Sequence, residues 1–354
     1  MSNKKKCPIC GAENDQTVTG HPECAVCSFP YAYVARFSGK GAFSLWQSQI
    51  ETRKHRLLVE MQQECKNKRL FSLKGGVITF RSPKNGNITI VTSSGSTQFD
   101  DETVEYFISE TSNLNFAQLK IDGTVTASGN NDYSQCDTKG MAKISKLLYT
   151  PNCIYGITCD KSVVFSGQPA SYSVRQWNNV ENLVSGSYHV AALLTDGRVL
   201  VAGNMLNPSI LNTVNSWKNI ISVDASGDAT IGLRQDGSVV FAGKENDPRR
   251  AAVRWKKIVD VALESAYAVG LTEDGSVLLA GESTNTFLDM GRKKAAEWKN
   301  IVAISVSRSG IAGLSFDGNI FVEGNVREKG KLISQWANLK DGFHMEMVQE
   351  STAT

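Results

Sequence analysis

No stretch of this 354-residue chain is long and apolar enough to form a transmembrane helix. Reactive side chains are just as scarce. There are four histidines: His21 and His55 precede the repeated region described below, and His189 and His344 fall at repeat positions. No glycine-rich phosphate loop is present, and Cys153 and Cys159 have no histidine closer in sequence than His189. These gaps leave little with which to build a catalytic centre, so the chain is expected not to be an enzyme. Met1–Cys7 opens with a basic run but has no apolar core behind it. A secretory signal is therefore not expected, and the location is expected to be cytoplasmic, with no membrane partner.

The net charge of +3 is small but unevenly divided. Residues 1–74 hold 12 Lys/Arg against 6 Asp/Glu, and residues 75–354 hold 26 against 29. An anionic partner such as a nucleic acid would therefore meet the N-terminal part, although a solvated tail explains the same charge.

Cys7-Pro8-Ile9-Cys10 and Cys24-Ala25-Val26-Cys27 are two Cys-x-x-Cys knuckles with 13 residues between them. Each tight turn aims two sulfurs at one ion, and the intervening segment brings the pairs together, so the spacing suits a tetrahedral structural Zn2+ held by Cys7, Cys10, Cys24 and Cys27. His21 is a spare ligand. A pair of disulfides would need an oxidising compartment that nothing in the sequence indicates. The segment resembles the short zinc ribbons that open many bacterial multidomain proteins.

Residues 42–69 are rich in helix formers and read as a linker helix, with Trp46, Ile50, Leu57, Met61 and Cys65 on one face and Arg53 interrupting it. Such a face packs on the rest of the chain or on a second copy, which leaves the oligomeric state open.

From residue 85 onward one phrase recurs: a turn on Asp-Gly or a variant, an alternating strand, then a glycine. Copies begin at Asn85, Asp122, Asp160, Asp196, Asp236, Asp274 and Asp317, spaced by 37, 38, 36, 40, 38 and 43 residues. A period near 40 made of short strands indicates a β-propeller. Trp177, Trp217, Trp255, Trp298 and Trp336 share the period, which marks them as packing between blades. Acidic residues in the turns recur for turn chemistry and do not form an acid–base pair. Trp336–Leu339 and His344–Val348 read as the opening strands of a blade completed by Val77–Phe80 and Asn87–Ile90, closing a ring of seven. The expected fold is mainly β, a seven-bladed β-propeller with an N-terminal zinc ribbon and a linker helix. Its domains are a ribbon over 1–38, the linker over 39–74 and the propeller over 75–354.

The phrase Trp-x-x-Ile-x-x-Val, a small-residue strand, then Leu-x-x-Asp-Gly-x-Val-x-x-x-Gly resembles the regulator of chromosome condensation repeat. The loop Gly129–Cys136 is similar to the Gly-x-Asn-x-x-Gly-Gln stretch of that family, including its bacterial branch. The resemblance implies a seven-bladed propeller. It also implies a role among nucleotide exchange on small GTPases, chromatin contact, ubiquitin-ligase scaffolding and inhibitory protein binding.

The loops after each closing glycine share one rim if that arrangement holds. Tyr133, Tyr172, Arg175, Met205, Arg249, Arg250, Phe287, Arg292, Lys293 and Arg327 lie in them and are of types that anchor protein interfaces. The leading expectation is a protein-binding platform. A nucleic-acid-associated factor using the basic N-terminal region is the competing reading, and guanine-nucleotide exchange is a minor one, since no segment reads as a protruding wedge hairpin.

Overall fold

The computed structural model describes residues 4–6, 13–15, 40–68, 71–74, 77–81, 88–92, 95–98, 103–108, 116–203, 208–282, 293–307, 310–326 and 329–337. A two-stranded antiparallel ribbon, β1 (Lys4–Lys6) and β2 (Glu13–Asp15), comes first, followed by helix α1 (Lys40–Lys68). Seven antiparallel sheets then succeed one another, consistent with a seven-bladed propeller. Blade 1 has four strands, β3 (Phe71–Lys74), β4 (Val77–Arg81), β5 (Ile88–Thr92) and β6 (Gly95–Gln98). The other six have three each. Blade 2 is β7 (Thr103–Ile108), β8 (Phe116–Lys120) and β9 (Val125–Ser128), and blade 3 is β10 (Ile144–Thr150), β11 (Cys153–Thr158) and β12 (Val163–Gly167). Blade 4 is β13 (Val180–Ser185), β14 (Val190–Leu194) and β15 (Val199–Ala202). Blade 5 is β16 (Ile220–Ser226), β17 (Ala229–Arg234) and β18 (Val239–Ala242). Blade 6 is β19 (Ile258–Leu263), β20 (Tyr267–Thr272) and β21 (Val277–Gly281), and blade 7 is β22 (Ile301–Val306), β23 (Gly310–Ser315) and β24 (Ile320–Gly324). Short helices α2 (Pro208–Asn215) and α3 (Lys329–Ala337) complete the elements.

The recurring phrase acquires a physical meaning in each blade. After the second strand, Gly123, Gly197, Gly237, Gly275 and Gly318 turn the chain at φ between 74 and 79°, a region costly for any residue with a Cβ. Lys161 occupies the same place in blade 3 at φ 67°. Each turn then catches the blade that follows. The amides of Ile220, Ile258 and Ile301 donate to the carbonyls of Gly197, Gly237 and Gly275 at 2.9, 3.1 and 2.9 Å.

Trp217, Trp255 and Trp298 sit on glycine seats. A Cβ on Gly270 would stand 2.7 Å from the ring of Trp255, and one on Gly313 would stand 2.8 Å from that of Trp298. Met141 covers Gly156 in blade 3, where the repeat has no tryptophan. Apolar clusters fill the gaps between neighbouring blades. Trp177 and Val180 pack with Tyr155 between blades 3 and 4, and Trp217 packs with Val184 and Leu193 between blades 4 and 5. Burying both faces of each blade in this way is what a ring of repeats supplies and a single blade cannot.

The ring closes between blades 7 and 1. Phe71, Ile78 and Phe80 of blade 1 share one core with Val302, Leu314 and Val322 of blade 7. Trp336, at the end of α3, lies 5.5 Å from Phe80 and donates from Nε1 to the carbonyl of Gly318 at 2.8 Å. Here the structure corrects the expectation that Trp336 opens a strand: Trp336 and Ala337 end a helix, and 338–350 lie outside the described residues. Blade 1 also begins earlier than the boundary placed at 75, because β3 belongs to it.

The second half of α1 is not a free linker. Leu57, Leu58, Met61 and Cys65 are buried in the core that joins blades 7 and 1. Gln62 donates from Nε2 to the carbonyls of Thr272 and Ile301 at 3.1 and 3.0 Å. Both carbonyls lie at the ends of strands nearest the glycine turns, so α1 covers that side of the ring.

Candidate binding face

Strand direction gives the ring two unlike faces. The glycine turns and the tryptophans lie on one, where α1 also sits. The connections between first and second strands lie on the other, together with the loops after each closing glycine. Bonds among these loops hold that second face together. Gln168 N donates to Asn152 O at 2.8 Å, Gln135 Nε2 to Pro151 O at 3.1 Å and Ser187 N to Gly227 O at 2.7 Å.

On the turn face, Asp122, Asp160, Asp196, Asp236 and Asp274 are engaged in their own turns. Asp122, Asp236 and Asp274 each accept from the backbone amide two residues on, at 2.9, 2.9 and 3.1 Å. Hydrogen bonds of this kind hold their carboxyls below the usual range, led by the hydroxyls of Thr124, Ser238 and Thr272. They stay ionised and act in turn geometry.

The centre of the ring is a cavity of about 610 Å³ lined by first strands and by Gln62, Cys65 and Lys66 of α1. Its charges are engaged with the walls. Lys146 Nζ lies 2.8 Å from Glu181 Oε1, Leu147 N donates to Glu105 Oε2 at 2.6 Å, and Leu263 N donates to Asp224 Oδ2 at 2.7 Å. Lys66 donates to Val259 O at 2.8 Å and stands 3.8 Å from Asp260. Burial raises the Asp260 carboxyl despite Lys66 and lowers the Lys66 ammonium despite Asp260. These contacts tie inner strands of neighbouring blades to one another and α1 to blade 6.

A second cavity, about 840 Å³, opens on the loop face across blades 3 to 5. Tyr149, Asn152, Tyr155, Gln168, Tyr188 and His189 are among its walls, and among the described residues no Asp, Glu, Lys or Arg lines it. Tyr155 is held by Ala170 N, which donates to its hydroxyl at 2.7 Å. Tyr188 is 59% exposed. His189 is buried, its Nε2 2.9 Å from Thr230 Oγ1. Burial lowers its pKa to about 4, against a smaller opposing pull from Asp228, so the imidazole is neutral near pH 7. The pocket wall is thus uncharged at that pH.

The expected rim residues fare differently. Tyr133 and Tyr172 are exposed on the loop face, at 46% and 68%. Tyr172 meets the edge of Phe165 at 5.9 Å, and the guanidinium of Arg175 lies 4.4 Å over the same ring. Arg249 is a correction: it is buried, lies 2.7 Å from Asp247 Oδ2 and donates to Glu264 O at 2.7 Å, so its charge is spent inside. Arg250 is turned back onto Gly243 O at 2.9 Å and toward the ring of Phe241. Lys293 is exposed. Met205, Phe287, Arg292 and Arg327 lie outside the described residues, as do Cys7, Cys10, Cys24 and Cys27. Gln135, in the loop that resembles the repeat family, is fully buried and donates to Asn130 O at 2.8 Å as well as to Pro151 O, a structural role that ties its loop to blade 3. Sequence reading missed Tyr149, Tyr155 and Tyr188. The one usable signal was Tyr188 itself, a large ring where the corresponding loops of blades 5 and 6 carry Asp228 and Ala266.

No family model and no curated protein matches this chain. Solved structures do. The ectodomain of the receptor kinase ACR4 from Arabidopsis thaliana, described as a CRINKLY WD40 ectodomain, is 14% identical with a TM-score of 0.51, over 72% of this chain and 93% of that one. The entire ectodomain of the Physcomitrella patens receptor kinase CR4 is 12% identical with a TM-score of 0.46, over 69% of each. Yeast RCC1 (Prp20), solved with Kap60, is 14% identical with a TM-score of 0.47, over 77% of this chain and 83% of that one. The first of these likenesses is one of fold, a β-propeller.

Proposed function

We propose that this chain is a non-enzymatic protein-binding platform whose loop face receives the partner. The observation that carries the reading is the placement of Tyr133, Tyr172 and Tyr188, large exposed aromatics, in loops of three successive blades, with Tyr188 in the wall of the cavity. Tyrosine offers broad contact area at low entropic cost and recurs at interface centres. The opposite face is covered in part by α1, and its recurring carboxylates are consumed by turns. His189, the histidine nearest the cavity, is buried and neutral, which suits a wall better than a general base.

The N-terminal region enters this reading as a structural zinc module. The β1–β2 register pairs Lys6 with Glu13, and Cys7 and Cys10 fall in the sequence between those strands, at the spacing of a zinc knuckle. The same register sets Lys4 across from Asp15. The register thus pairs two lysine positions with acidic ones, and this weakens a phosphate-binding role for the lysines. The four described cysteines, Cys65, Cys136, Cys153 and Cys159, are free thiols, which fits a reducing, cytoplasmic setting.

Photo-crosslinking tests the platform reading. A benzoylphenylalanine at Tyr172 or Tyr133 should trap one protein from extract of the source cells. The same group at Ile121, 73% exposed in a turn on the opposite face, should not. Trapping from Ile121 alone would refute the assignment of the face.

A further inference from the structure

The loop-face cavity also constrains what enters it. Among its walls are the exposed ring of Tyr188, the half-buried Tyr149, the amides Asn152 and Gln168, and the buried Tyr155 and neutral His189, with no ionised side chain among the described residues. An acidic or basic segment seated there would lose its hydration without a counter-charge, a cost of several kcal/mol. An uncharged segment would not. An exposed tyrosine ring such as that of Tyr188 suits proline in particular. Its ring lies flat on an aromatic face, and a polyproline II segment is extended before it binds, so little chain entropy is lost. Such a segment has no internal hydrogen bonds and presents its carbonyls outward. Asn152, Gln168 and the Tyr188 hydroxyl supply donor chemistry for them. Pro151 and Pro169 lie in the walls themselves and stiffen the two loops that face the entrant. A volume of about 840 Å³ is within the range of sites that hold a compact ligand or a few residues of a peptide.

The geometry points to an uncharged, proline-bearing extended peptide segment of a partner protein as the occupant of this cavity. The inference rests on the platform reading and names the chemistry of its contact. The probes are dye-labelled decapeptides applied to the full chain, arrayed so that proline content and net charge vary independently, with binders re-measured by fluorescence polarisation. Uncharged proline-rich members should bind, and their alanine-for-proline counterparts should be at least tenfold weaker, as should versions carrying two added Glu or two added Lys. Tyr188→Ala, at a largely exposed position, and Gln168→Glu, which places a charge in the wall, should each weaken binding about tenfold. Phe321→Ala, exposed on blade 7 away from the cavity, should leave it unchanged. An array with no proline-dependent binder, a preference for charged peptides, competition by maltohexaose, or binding indifferent to both cavity variants would each overturn the inference. Crosslinks from Tyr172 and Tyr133 would survive those outcomes if the face still binds a partner elsewhere, so the two readings fail separately.

Discussion

Trp336→Ala should open the ring. The indole is 1% exposed, seated in the core shared by blades 7 and 1, and its Nε1 donates to the carbonyl of Gly318. Truncating a buried Trp to Ala costs about 3–5 kcal/mol through lost burial and the cavity left behind. The orphaned Gly318 carbonyl adds about 1 kcal/mol. Together these approach the lower end of the 5–15 kcal/mol, roughly, that separates folded from unfolded states in ordinary domains. Urea titration followed by far-UV circular dichroism should show a large fall in midpoint, and limited proteolysis of the variant should cut first within blade 1, whose Phe80 loses its cover. Trp336→Phe keeps most of the ring volume and removes only the donor, so its loss should be about 1–2 kcal/mol. A Trp336→Ala midpoint within about 1 kcal/mol of the parent would refute the argument that this residue locks the last sheet to the first.

Four further outcomes follow from the same geometry. Lys161→Gly should stabilise the chain by about 0.5 kcal/mol in urea titration, because relief of a left-handed backbone outweighs loss of the half-exposed Glu181 ion pair. His189 titrates at about 4 when folded, below its usual 6.5, so protons favour the unfolded chain. Its contribution is complete above pH 6.5 and disappears as pH falls toward 4, by up to about 3 kcal/mol, and His189→Gln should flatten that slope in melts from pH 7 to 4. Arg249→Ala strands the buried Asp247 carboxylate and should cost about 3–5 kcal/mol by thermal melt, whereas Arg175→Ala should cost under about 1 kcal/mol. Stripping metal with a chelator should release one zinc per chain and expose Cys7, Cys10, Cys24 and Cys27 to alkylation while the β signal of the propeller persists; equal alkylation before and after would count against the zinc module.

What was legible in the sequence is what repeats. Asp274-Gly275 and its copies announced each hairpin, and the tryptophan spacing announced each gap between blades, because every copy meets the same steric demand. A quieter regularity went unread. Asn179, Asn219, Lys257 and Asn300, each two residues after a tryptophan, all take φ between 55 and 58°. Each precedes a first strand whose register slips between its first and third residues, as from Ile258 to Asp260. Asparagine at three of these four positions is the side chain that best tolerates that backbone. Arg249 was misplaced on the rim because its residue type outweighed its context. Asp247-Pro248-Arg249 already set a carboxylate and a guanidinium within reach across a short 3-10 turn, and Asp247 Oδ1 accepts from Arg249 N at 2.9 Å.

The cavity was invisible for the opposite reason. Tyr149, Tyr155 and Tyr188 belong to different strands and loops of blades 3 and 4, occur once each, and obey no period. A repeat scaffold pins its own geometry through residues that recur, so the side chains available for recognition are those that depart from the pattern. On the turn face the departures are few, and Lys161 there still adopts the glycine backbone. On the loop face they gather within residues 133–188, where Tyr133, Tyr172 and Tyr188 are exposed and Tyr188 belongs to a cavity wall with no charge among the described residues. A cavity wall kept uncharged in a chain with 21% charged residues leaves the exposed ring of Tyr188 as bare apolar surface, which becomes favourable once a segment of matching neutrality covers it.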